Sequence, residues 1–294
     1  MKKPLLSILM ITYNHESYIE QAIKGVFSQK VNFPVEFVIS NDCSTDKTHQ
    51  KIEEILKDAT NGFVVRYYNH EDNLGMMRNF SFAINECKGK YIAYFEGDDY
   101  WDYPKKLQTQ VDFLEQNPDF AICCHNVRFL ENEKFINEIY LDKINIKDKF
   151  TLEDLAKHNI VPTLTAVFRN TSDKLPSWIL ESPIGDLPMF MMVAKHGKIK
   201  YINEKWAVYR SNIGEWSKMG NQKNLNMIKQ YDLLTEEFND NIKVKKNLHF
   251  ARNKYIKEYL KKEKLSLLKL SKNSFFKQLP LLEKAKIIFR KYLN

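Results

Sequence analysis

The stretch Tyr91–Trp101, with the sequence YIAYFEGDDYW, decides the fold class of this chain. It opens with five apolar residues, mostly aromatic or β-branched, a composition typical of a buried β-strand. Three carboxylates then follow within four positions, at Glu96, Asp98 and Asp99. Open α/β sheets bind their ligands at the carboxyl ends of the strands. The sequence therefore predicts an α/β sheet with an acidic site at the end of this strand.

This acidic turn is typical of a metal site. Carboxylates held close together repel one another, and a cation relieves that repulsion. Hard divalent cations such as Mg²⁺ and Mn²⁺ take oxygen ligands and often join carboxylates to the phosphates of a substrate. We therefore expect a metal–diphosphate site here. The alternative for an isolated EGDD motif is a solvated acidic turn without a ligand.

Outward from this strand, strands and helices alternate over the first 118 residues. The predicted strands cover 5–12, 35–40, 63–68 and 90–95, and the predicted helices begin near Tyr18, at Thr45 or Asp46, after Gly75 and at Pro104. This alternation indicates right-handed βαβ crossovers and a mostly parallel sheet. Helices would cover both faces of that sheet, which explains why its strands are continuous apolar runs.

The rest of the chain is less regular. We predict strands at 120–126 and 165–168, a helix at 186–196, and a pair of strands at 198–202 and 206–210. Helices follow after 221, with Pro280 interrupting the last stretch. The predicted division is thus a mixed domain over 1–220 and a helical extension over 221–294.

The net charge of +8 is concentrated in that extension. Residues 243–294 carry 16 Lys and Arg against 3 Glu, whereas residues 1–242 carry 29 basic and 34 acidic residues. Bases alternate with apolar residues, which indicates basic amphipathic helices and an anionic partner, either a membrane surface or, less in keeping with the sequence, nucleic acid. The alternative is that the apolar faces pack on the body of the protein and the lysines are only solvated.

Several classes of protein are excluded. No run of about 18 uncharged apolar residues predicts a membrane-spanning helix, and the short first strand does not resemble a secretory signal. The four cysteines form no C-x-x-C pair, which favours reduced thiols in a cytosolic protein. Dinucleotide-binding, P-loop, zinc-protease and serine-hydrolase motifs are absent. The chemistry that remains compatible with the sequence is that of carboxylates with a metal, acting on a phosphorylated substrate.

Polar residues follow three of the predicted strands, and parallel strands bring such residues to one edge of the sheet. These residues are Thr12, Tyr13 and Asn14 after the first strand, Asp42 after the second, and Asp98 and Asp99 after the fourth. Taken singly, each is compatible with an ordinary turn or cap.

Two further charged residues are candidates for the site. Arg78, about one turn into its helix, is placed to pair with a phosphate or with Asp42 or Asp98, or to form only a surface salt bridge. Asp186 begins an apolar helix after Gly185. It is either a helix-capping residue or a carboxylate on a rigid helix end that acts as a general base.

Taken together, these motifs resemble family 2 glycosyltransferases of the GT-A fold. The resemblance covers about residues 4–218 and rests on the order and spacing of 12–14, 39–46, 73–79, 96–99, 185–186, 209–210 and 216–217. The last three segments are similar to the bacterial branch that builds surface polysaccharides. The resemblance implies a GT-A catalytic domain over 1–220, with a nucleotide-binding half at 1–118 and an acceptor half at 119–220.

The resemblance also implies the chemistry and the roles of the candidates. The reaction would be inverting transfer of a sugar from a nucleoside diphosphate, most simply a UDP-sugar, to a glycan or a lipid-linked acceptor. The base would be held by Thr12, by Tyr13 with the adjacent Asn14, and by Asp42. Asp98 would contact the ribose, and Asp99 would ligate the Mn²⁺ or Mg²⁺. Arg78 would lie near the nucleotide, and Asp186 would deprotonate the acceptor. The expected location is the cytoplasm, peripheral on the inner face of the membrane.

Two departures from the family pattern stand out. Asn41 occupies a position where relatives often have an acid, and 211–216 lacks the histidine that many relatives have two residues after the Tyr-Arg pair. A non-catalytic nucleotide-sugar-binding or scaffold protein of the same fold is the alternative in another class. A sugar-phosphate nucleotidyltransferase is disfavoured because residues 12–16 lack a basic, glycine-rich loop.

Overall fold

The computed structural model describes residues 3–58, 62–137, 141, 146–171, 175–263 and 265–292. The chain forms two compact units, one of residues 1–155 with 159–214 and one of residues 156–158 with 215–294. The first unit contains the sheet, and the second is helical. No helix among the described residues is long and apolar enough to cross a bilayer.

Ten strands form one mixed sheet in the first unit. They are β1 (Leu6–Thr12), β2 (Val35–Asn41), β3 (Val64–Asn69), β4 (Tyr91–Glu96), β5 (Tyr100–Trp101), β6 (Phe120–Glu131), β7 (Lys134–Ile136), β8 (Lys149–Phe150), β9 (Val167–Arg169) and β10 (Lys198–Arg210). The main path runs in the order β3-β2-β1-β4-β9-β6-β10-β5, with β7 paired to β6 and β8 to β10.

The described residues form twelve α-helices. They are α1 (Ile19–Phe27), α2 (Thr48–Asp58), α3 (Met76–Glu86), α4 (Lys106–Gln116), α5 (Leu152–Lys157), α6 (Asp186–Ala194), α7 (Glu215–Lys218), α8 (Gln222–Glu237), α9 (Ile242–Lys262), α10 (Leu267–Lys272), α11 (Ser274–Gln278) and α12 (Leu281–Tyr292). Two short 3₁₀ helices lie at Thr163–Thr165 and Ser177–Glu181.

The strand directions bring six strand ends to one edge of the sheet. β1, β2, β3 and β4 are mutually parallel, β9 runs antiparallel between β4 and β6, and β10 is parallel to β6. The carboxyl ends of β1, β2, β3, β4, β6 and β10 therefore share an edge. This confirms the predicted α/β architecture with a mostly parallel sheet.

Alternate residues of the central strands face two layers of helices. On one face Ile8, Phe37 and Phe95 join a core that also contains apolar residues of α1, α2 and α4. On the other face Tyr94 packs against Phe80 of α3, with ring centroids 5.1 Å apart. All seven residues of β1 and of β2 are buried, because they lie between both layers.

The strand pair predicted at 198–202 and 206–210 is wrong. The structure has one strand, β10, that runs beside β6 over its whole length. Its register shifts between Ile202 and Lys205, where polar residues interrupt the apolar pattern. The chain accommodates this interruption as an irregularity and does not reverse direction. The four cysteines are free thiols, as predicted, and all except Cys43 are buried.

The second unit has its own apolar core. Ile228 of α8 packs with Ile256 and Leu260 of α9, and α10 and α11 add further buried residues, Leu270 and Phe276. The helices that the sequence predicts to be basic and amphipathic thus bury apolar residues within this unit.

The core of the first unit contains an unexpected charged group. Lys106, at the start of α4, is completely buried, and its Nζ lies 4.1 Å from the centroid of the Trp101 ring. No hydrogen-bond acceptor among the described residues reaches Nζ. Burial lowers the pKa of Lys106 to about 7. Since an unfolded lysine titrates near pH 10.4, folding opposes the charged form.

We expect Lys106→Met to stabilise the protein at pH 6 by about 3 kcal/mol, after allowance for the lost contact with Trp101. The folded pKa is below the unfolded pKa, so the full cost of the buried charge is present below pH 7. Between pH 7 and 10.5 the unfolded chain holds the additional proton, and wild-type stability rises with pH.

Urea unfolding of wild type and variant at pH 6 and at pH 9.5 tests this prediction. The stability difference should shrink at the higher pH. Lys105→Met, at the exposed neighbouring position, is the matched control and should change stability by less than about 0.5 kcal/mol. A destabilised Lys106→Met protein at pH 6 would contradict the assignment of an uncompensated buried charge.

Candidate active site at the carboxyl edge of the sheet

The segments after β1 and β2 are joined to each other at this edge. The backbone N–H of Asp42 donates to the carbonyl of Thr12 at 3.0 Å. Asn14 donates its N–H to Ser44 Oγ at 2.9 Å and accepts the N–H of Thr45 on its side chain at 2.8 Å. Asn14 has φ of 54°, a left-handed conformation that asparagine adopts more readily than most residues. Thr12 is buried, whereas the side chains of Tyr13 and Asn14 are exposed to an incoming ligand.

Asp42 is a buried carboxylate that joins the second loop to the start of α3. Its Oδ1 accepts the N–H of Leu74 at 2.7 Å, and its carbonyl accepts Nδ2 of Asn73 at 3.0 Å. Gly75, with φ of 81°, supplies the left-handed turn that leads into the helix. The structure thus joins two segments that lie 31 and 32 residues apart in the sequence.

Asn41, which departs from the family pattern, has a defined structural role. It is fully buried, and its Nδ2 donates to Asn69 Oδ1 at 2.7 Å while its Oδ1 accepts the Ser44 hydroxyl. Donating and accepting at once requires an amide, because an ionised carboxylate only accepts. A local hydrogen-bond network therefore accounts for the missing acid.

Arg78 lies on the exposed side of α3. Neither Asp42 nor Asp98 forms an ion pair with it, so the structure does not contain the intramolecular pair considered from the sequence. The guanidinium is left accessible to a ligand from solvent.

The acidic turn is closely packed. Gly97 is required there, because a Cβ would lie 2.8 Å from Thr12 Oγ1. Asp98 and Asp99 are 8% and 6% exposed. Asp98 Oδ2 lies 3.9 Å from Nε2 of His15, and Asp99 Oδ1 accepts the backbone N–H of Arg210 at 2.8 Å. The turn therefore holds two carboxylates in defined positions.

Electrostatic effects connect this turn with Asp186. Burial, with a further contribution from Asp98, raises the pKa of Asp99 well above its usual range. Burial and then the charges of Asp98 and Asp186 raise the pKa of Glu96 to about 8. The charge of Asp186 thus reaches Glu96, although the two residues are distant in sequence. A bound cation would relieve this repulsion.

Asp186 is the first residue of α6, and the capping position is Gly185. Its Oδ2 accepts the Thr163 hydroxyl at 2.8 Å. Burial raises the pKa of Asp186, and the Thr163 hydroxyl and nearby backbone N–H groups oppose that shift. A positioned carboxylate of raised pKa is suited to accept a proton.

The comparisons with known proteins agree with this geometry. The sequence profile of glycosyl transferase family 2 matches residues 7–175. The chain belongs to glycosyltransferase family 2.

Two curated proteins are similar in sequence to this family 2 chain. The uncharacterised protein Rv1520 of Mycobacterium tuberculosis is 33% identical over 72% of this chain and 60% of that protein, so the match spans less than two thirds of the relative's length. The putative teichuronic acid biosynthesis glycosyltransferase TuaG of Bacillus subtilis is 28% identical over 71% of this chain and 79% of that protein.

Two solved structures share the fold. The mannosyltransferase PcManGT of Pyrobaculum calidifontis, in complex with GDP-Man and Mn²⁺, superposes with a TM-score of 0.64 at 14% identity, covering 100% of this chain and 86% of that one. TarS of S. aureus, in complex with UDP-GlcNAc, gives a TM-score of 0.62 at 16% identity and coverages of 97% and 80%. The fold of this family 2 chain is accordingly GT-A.

The donor atoms of this family 2 chain suit a metal that is shared with a substrate. In the part of the chain that the structure describes, no three His, Cys, Asp or Glu side chains form a metal cage. Asp99 uses one oxygen, Oδ1, for Arg210 and keeps Oδ2. A hard cation bound by few protein oxygens takes its other ligands from phosphate and water. The residues present therefore fit Mg²⁺ or Mn²⁺ bound together with a diphosphate.

Three residues of the site were not assigned a role from the sequence. Glu96 was noted only as part of the motif, Arg210 only as part of the resemblance, and Thr163 not at all. Glu96 had a local signal, its place at the strand end. Thr163 had none, because its contact with Asp186 depends on how two irregular segments pack.

Proposed function

We propose that this chain is a metal-dependent, inverting glycosyltransferase that moves a sugar from a nucleoside-diphosphate sugar to an acceptor hydroxyl. One observation carries this proposal: Glu96, Asp98 and Asp99 lie in the buried turn where β4 ends, Asp99 is held by Arg210, and the charge of Asp186 at the start of α6 reaches Glu96. Without a ligand, the mutual repulsion of these carboxylates does not stabilise the folded protein. Such a cluster is suited to a cation, a diphosphate and a proton transfer.

The donor nucleotide is assigned to the loops after β1 and β2. In this proposal the exposed Tyr13 and Asn14, with Thr12 and Asp42 behind them, hold the base, and Asp98 holds the ribose. Arg78 is available to a phosphate because no carboxylate of the site neutralises it. The hydrogen bonds between the two loops support this assignment, since they preorganise the surface before the nucleotide arrives.

Asp99 is proposed as the metal ligand. A divalent cation bound there, Mg²⁺ or Mn²⁺, would stabilise the negative charge that develops on the departing diphosphate. The protein supplies the Asp99 carboxylate in a fixed orientation, and the burial of the turn limits competing contacts with water.

Asp186 is proposed as the general base. The acceptor oxygen forms a bond to the anomeric carbon while the bond from that carbon to the diphosphate oxygen breaks, and the electron pair leaves with the diphosphate. The acceptor proton passes to the Asp186 carboxylate, which Thr163 holds in place. Displacement from the opposite face in one step inverts the anomeric configuration and needs a single base.

The relatives suggest the substrate class. TarS was crystallised with UDP-GlcNAc, and TuaG is named for teichuronic acid biosynthesis. We therefore propose a UDP-sugar donor, and a glycan or lipid-linked saccharide acceptor in bacterial surface polysaccharide synthesis. PcManGT, with GDP-Man, makes a guanine nucleotide the alternative to be tested.

Calorimetric binding of UDP, GDP and dTDP, each with and without Mn²⁺, tests the proposed function. We expect UDP to bind most tightly and its affinity to depend on Mn²⁺. UMP, which lacks the second phosphate, is the matched control and should show little dependence on the metal. Absence of binding by all three diphosphates would refute the assignment.

A peripheral membrane location for the second unit is a separate part of the proposal. Leu268, Leu281, Leu282 and Phe289 are 57–86% exposed on α10 and α12, although they are large and apolar. On α12 the exposed residues Leu282, Ala285, Lys286 and Phe289 follow helical spacing and form one face. Glu283 is the only acid after residue 263, and it pairs with Lys257 and Lys286. A basic surface with an apolar stripe is suited to anionic lipid.

We expect the full chain to sediment with vesicles that contain anionic phosphatidylglycerol, and much less with neutral phosphatidylcholine vesicles. The triple variant Leu281→Ser, Leu282→Ser and Phe289→Ser should reduce binding by about 10-fold or more, because the apolar contribution is lost. Ile242→Ser, which removes a side chain that is 82% exposed on α9, is the control. Equal binding by the triple variant and wild type would refute this membrane surface.

A further inference from the structure

Arg210 is a buried cation beside the acidic turn. It is the last residue of β10 and is 6% exposed. Its guanidinium carbon lies 4.9 Å from the centroid of the Tyr18 ring and 4.8 Å from that of Tyr100. Two aromatic rings thus hold the guanidinium group, an arrangement that a planar arginine side chain suits better than lysine.

Three contacts connect Arg210 to the turn and to α1. Its Nη1 donates to the carbonyl of Asp98 at 2.5 Å, and its Nη2 donates to the side chain of Gln21. Its backbone N–H donates to Asp99 Oδ1 at 2.8 Å. The side chain therefore determines where the Asp98 peptide lies, and the backbone determines which oxygen of Asp99 remains for another ligand.

We propose that Arg210 is a positioning residue for the acidic turn: its side chain fixes the Asp98 peptide, and so the position from which the adjacent Asp99 would hold a cation. This inference rests on the proposed function. Partners that orient a metal ligand without touching the metal typically contribute about 10- to 100-fold to metal affinity.

Arg210 directly precedes a segment that departs from the family pattern. Residues 211–216 lack the histidine found in many relatives, and Gly214 lies close to the turn, with its Cβ position 3.6 Å from Asp98 Oδ2. Arg210, at the end of β10, contributes two hydrogen bonds to the turn, one from its side chain to the Asp98 carbonyl and one from its backbone N–H to Asp99.

Positioning and simple charge balance make opposite predictions for two variants. Arg210→Lys keeps the positive charge but loses the planar group that contacts Asp98, Gln21 and two rings. Arg210→Gln loses the charge, which by itself would strengthen cation binding, because a positive neighbour repels a metal ion. If Arg210 positions the turn, both variants bind the metal more weakly.

The test is a calorimetric titration of Mn²⁺ in the presence of saturating UDP, with wild type and both variants. We expect Arg210→Lys and Arg210→Gln each to weaken Mn²⁺ binding by about 10-fold or more. Mn²⁺ affinity of Arg210→Lys within about threefold of wild type, or tighter binding by Arg210→Gln, would overturn the inference.

Arg169→Lys is the matched control. Arg169 donates to the carbonyls of Phe120, Leu114 and Asn117 and to the Tyr91 hydroxyl, at the opposite end of β4. The Arg169→Lys substitution should lower the melting temperature and leave the Mn²⁺ affinity unchanged. If Arg169→Lys loses as much Mn²⁺ affinity as the Arg210 variants, the effect is a general destabilisation and the inference is overturned. If wild type binds no Mn²⁺ with any nucleotide, the proposed function itself fails.

Discussion

Asp186→Asn is expected to reduce kcat for sugar transfer by about 10³-fold or more, while UDP affinity stays within about twofold of wild type. Asparagine has nearly the same shape as aspartate and still accepts the Thr163 hydroxyl, so the start of α6 should keep its structure. It has no site of comparable basicity for the acceptor proton. Transfer assays with the donor identified by the nucleotide panel, together with UDP calorimetry, measure both quantities.

Thr163→Val provides the control for this prediction. The Thr163 hydroxyl lowers the pKa of Asp186, so its removal should raise that pKa further. The base must be ionised to act, and the acid limb of the kcat/KM profile should therefore move to higher pH. Activity at alkaline pH should be largely retained. Unchanged turnover by Asp186→Asn would show that another group is the base.

The alternative of a nucleotide-sugar-binding protein gives a different result. In that case wild type and Asp186→Asn would both bind the nucleotide, and neither would transfer sugar from any donor that binds. The two proteins would then be indistinguishable in every assay, whereas the enzyme hypothesis requires them to differ in kcat alone.

Asp99→Asn is expected to weaken Mn²⁺-dependent UDP binding by about 100-fold or more, because the ionised carboxylate is the proposed metal ligand. The asparagine Oδ1 still accepts the N–H of Arg210, so the turn should remain intact. Calorimetry with UDP, with and without Mn²⁺, measures the loss. UDP binding without metal should be nearly unchanged.

The same substitution should raise the melting temperature of the metal-free protein at pH 7. The folded pKa of Asp99 is raised, so the ionised carboxylate opposes folding, and wild-type stability falls as pH rises through that pKa. Asp119→Asn, which removes an exposed carboxylate paired with Lys198, is the control and should change neither property appreciably. A destabilised Asp99→Asn protein that still binds Mn²⁺ and UDP would contradict the proposed role.

Much of the site could be predicted because its residues follow strand ends. Short continuous apolar runs predicted the first four strands to within about one residue at each end, and parallel pairing then places Thr12, Asp42 and Asp98 at one edge. The helix start that carries Asp186 was also correctly predicted. These features depend on local patterns, which the sequence displays directly.

The remaining features depend on contacts between distant segments. The irregularity at 202–205 suggested two strands, and only pairing with β6 makes β10 continuous and delivers Arg210 to Asp98, 112 residues away. Lys106 has the sequence of a surface helix start, but the packing of α4 against the sheet buries it over Trp101.

The sequence by itself determined the α/β class, the order of strands and helices in the first 118 residues, and the carboxylates at the strand ends. These follow from hydrophobic periodicity and turn chemistry, which act over a few residues. Only the tertiary structure decided that Arg210 contacts the acidic turn, that the Thr163 hydroxyl donates to Asp186 and that Lys106 is buried. Each of these results depends on strand order and register, which bring together side chains that no local pattern relates.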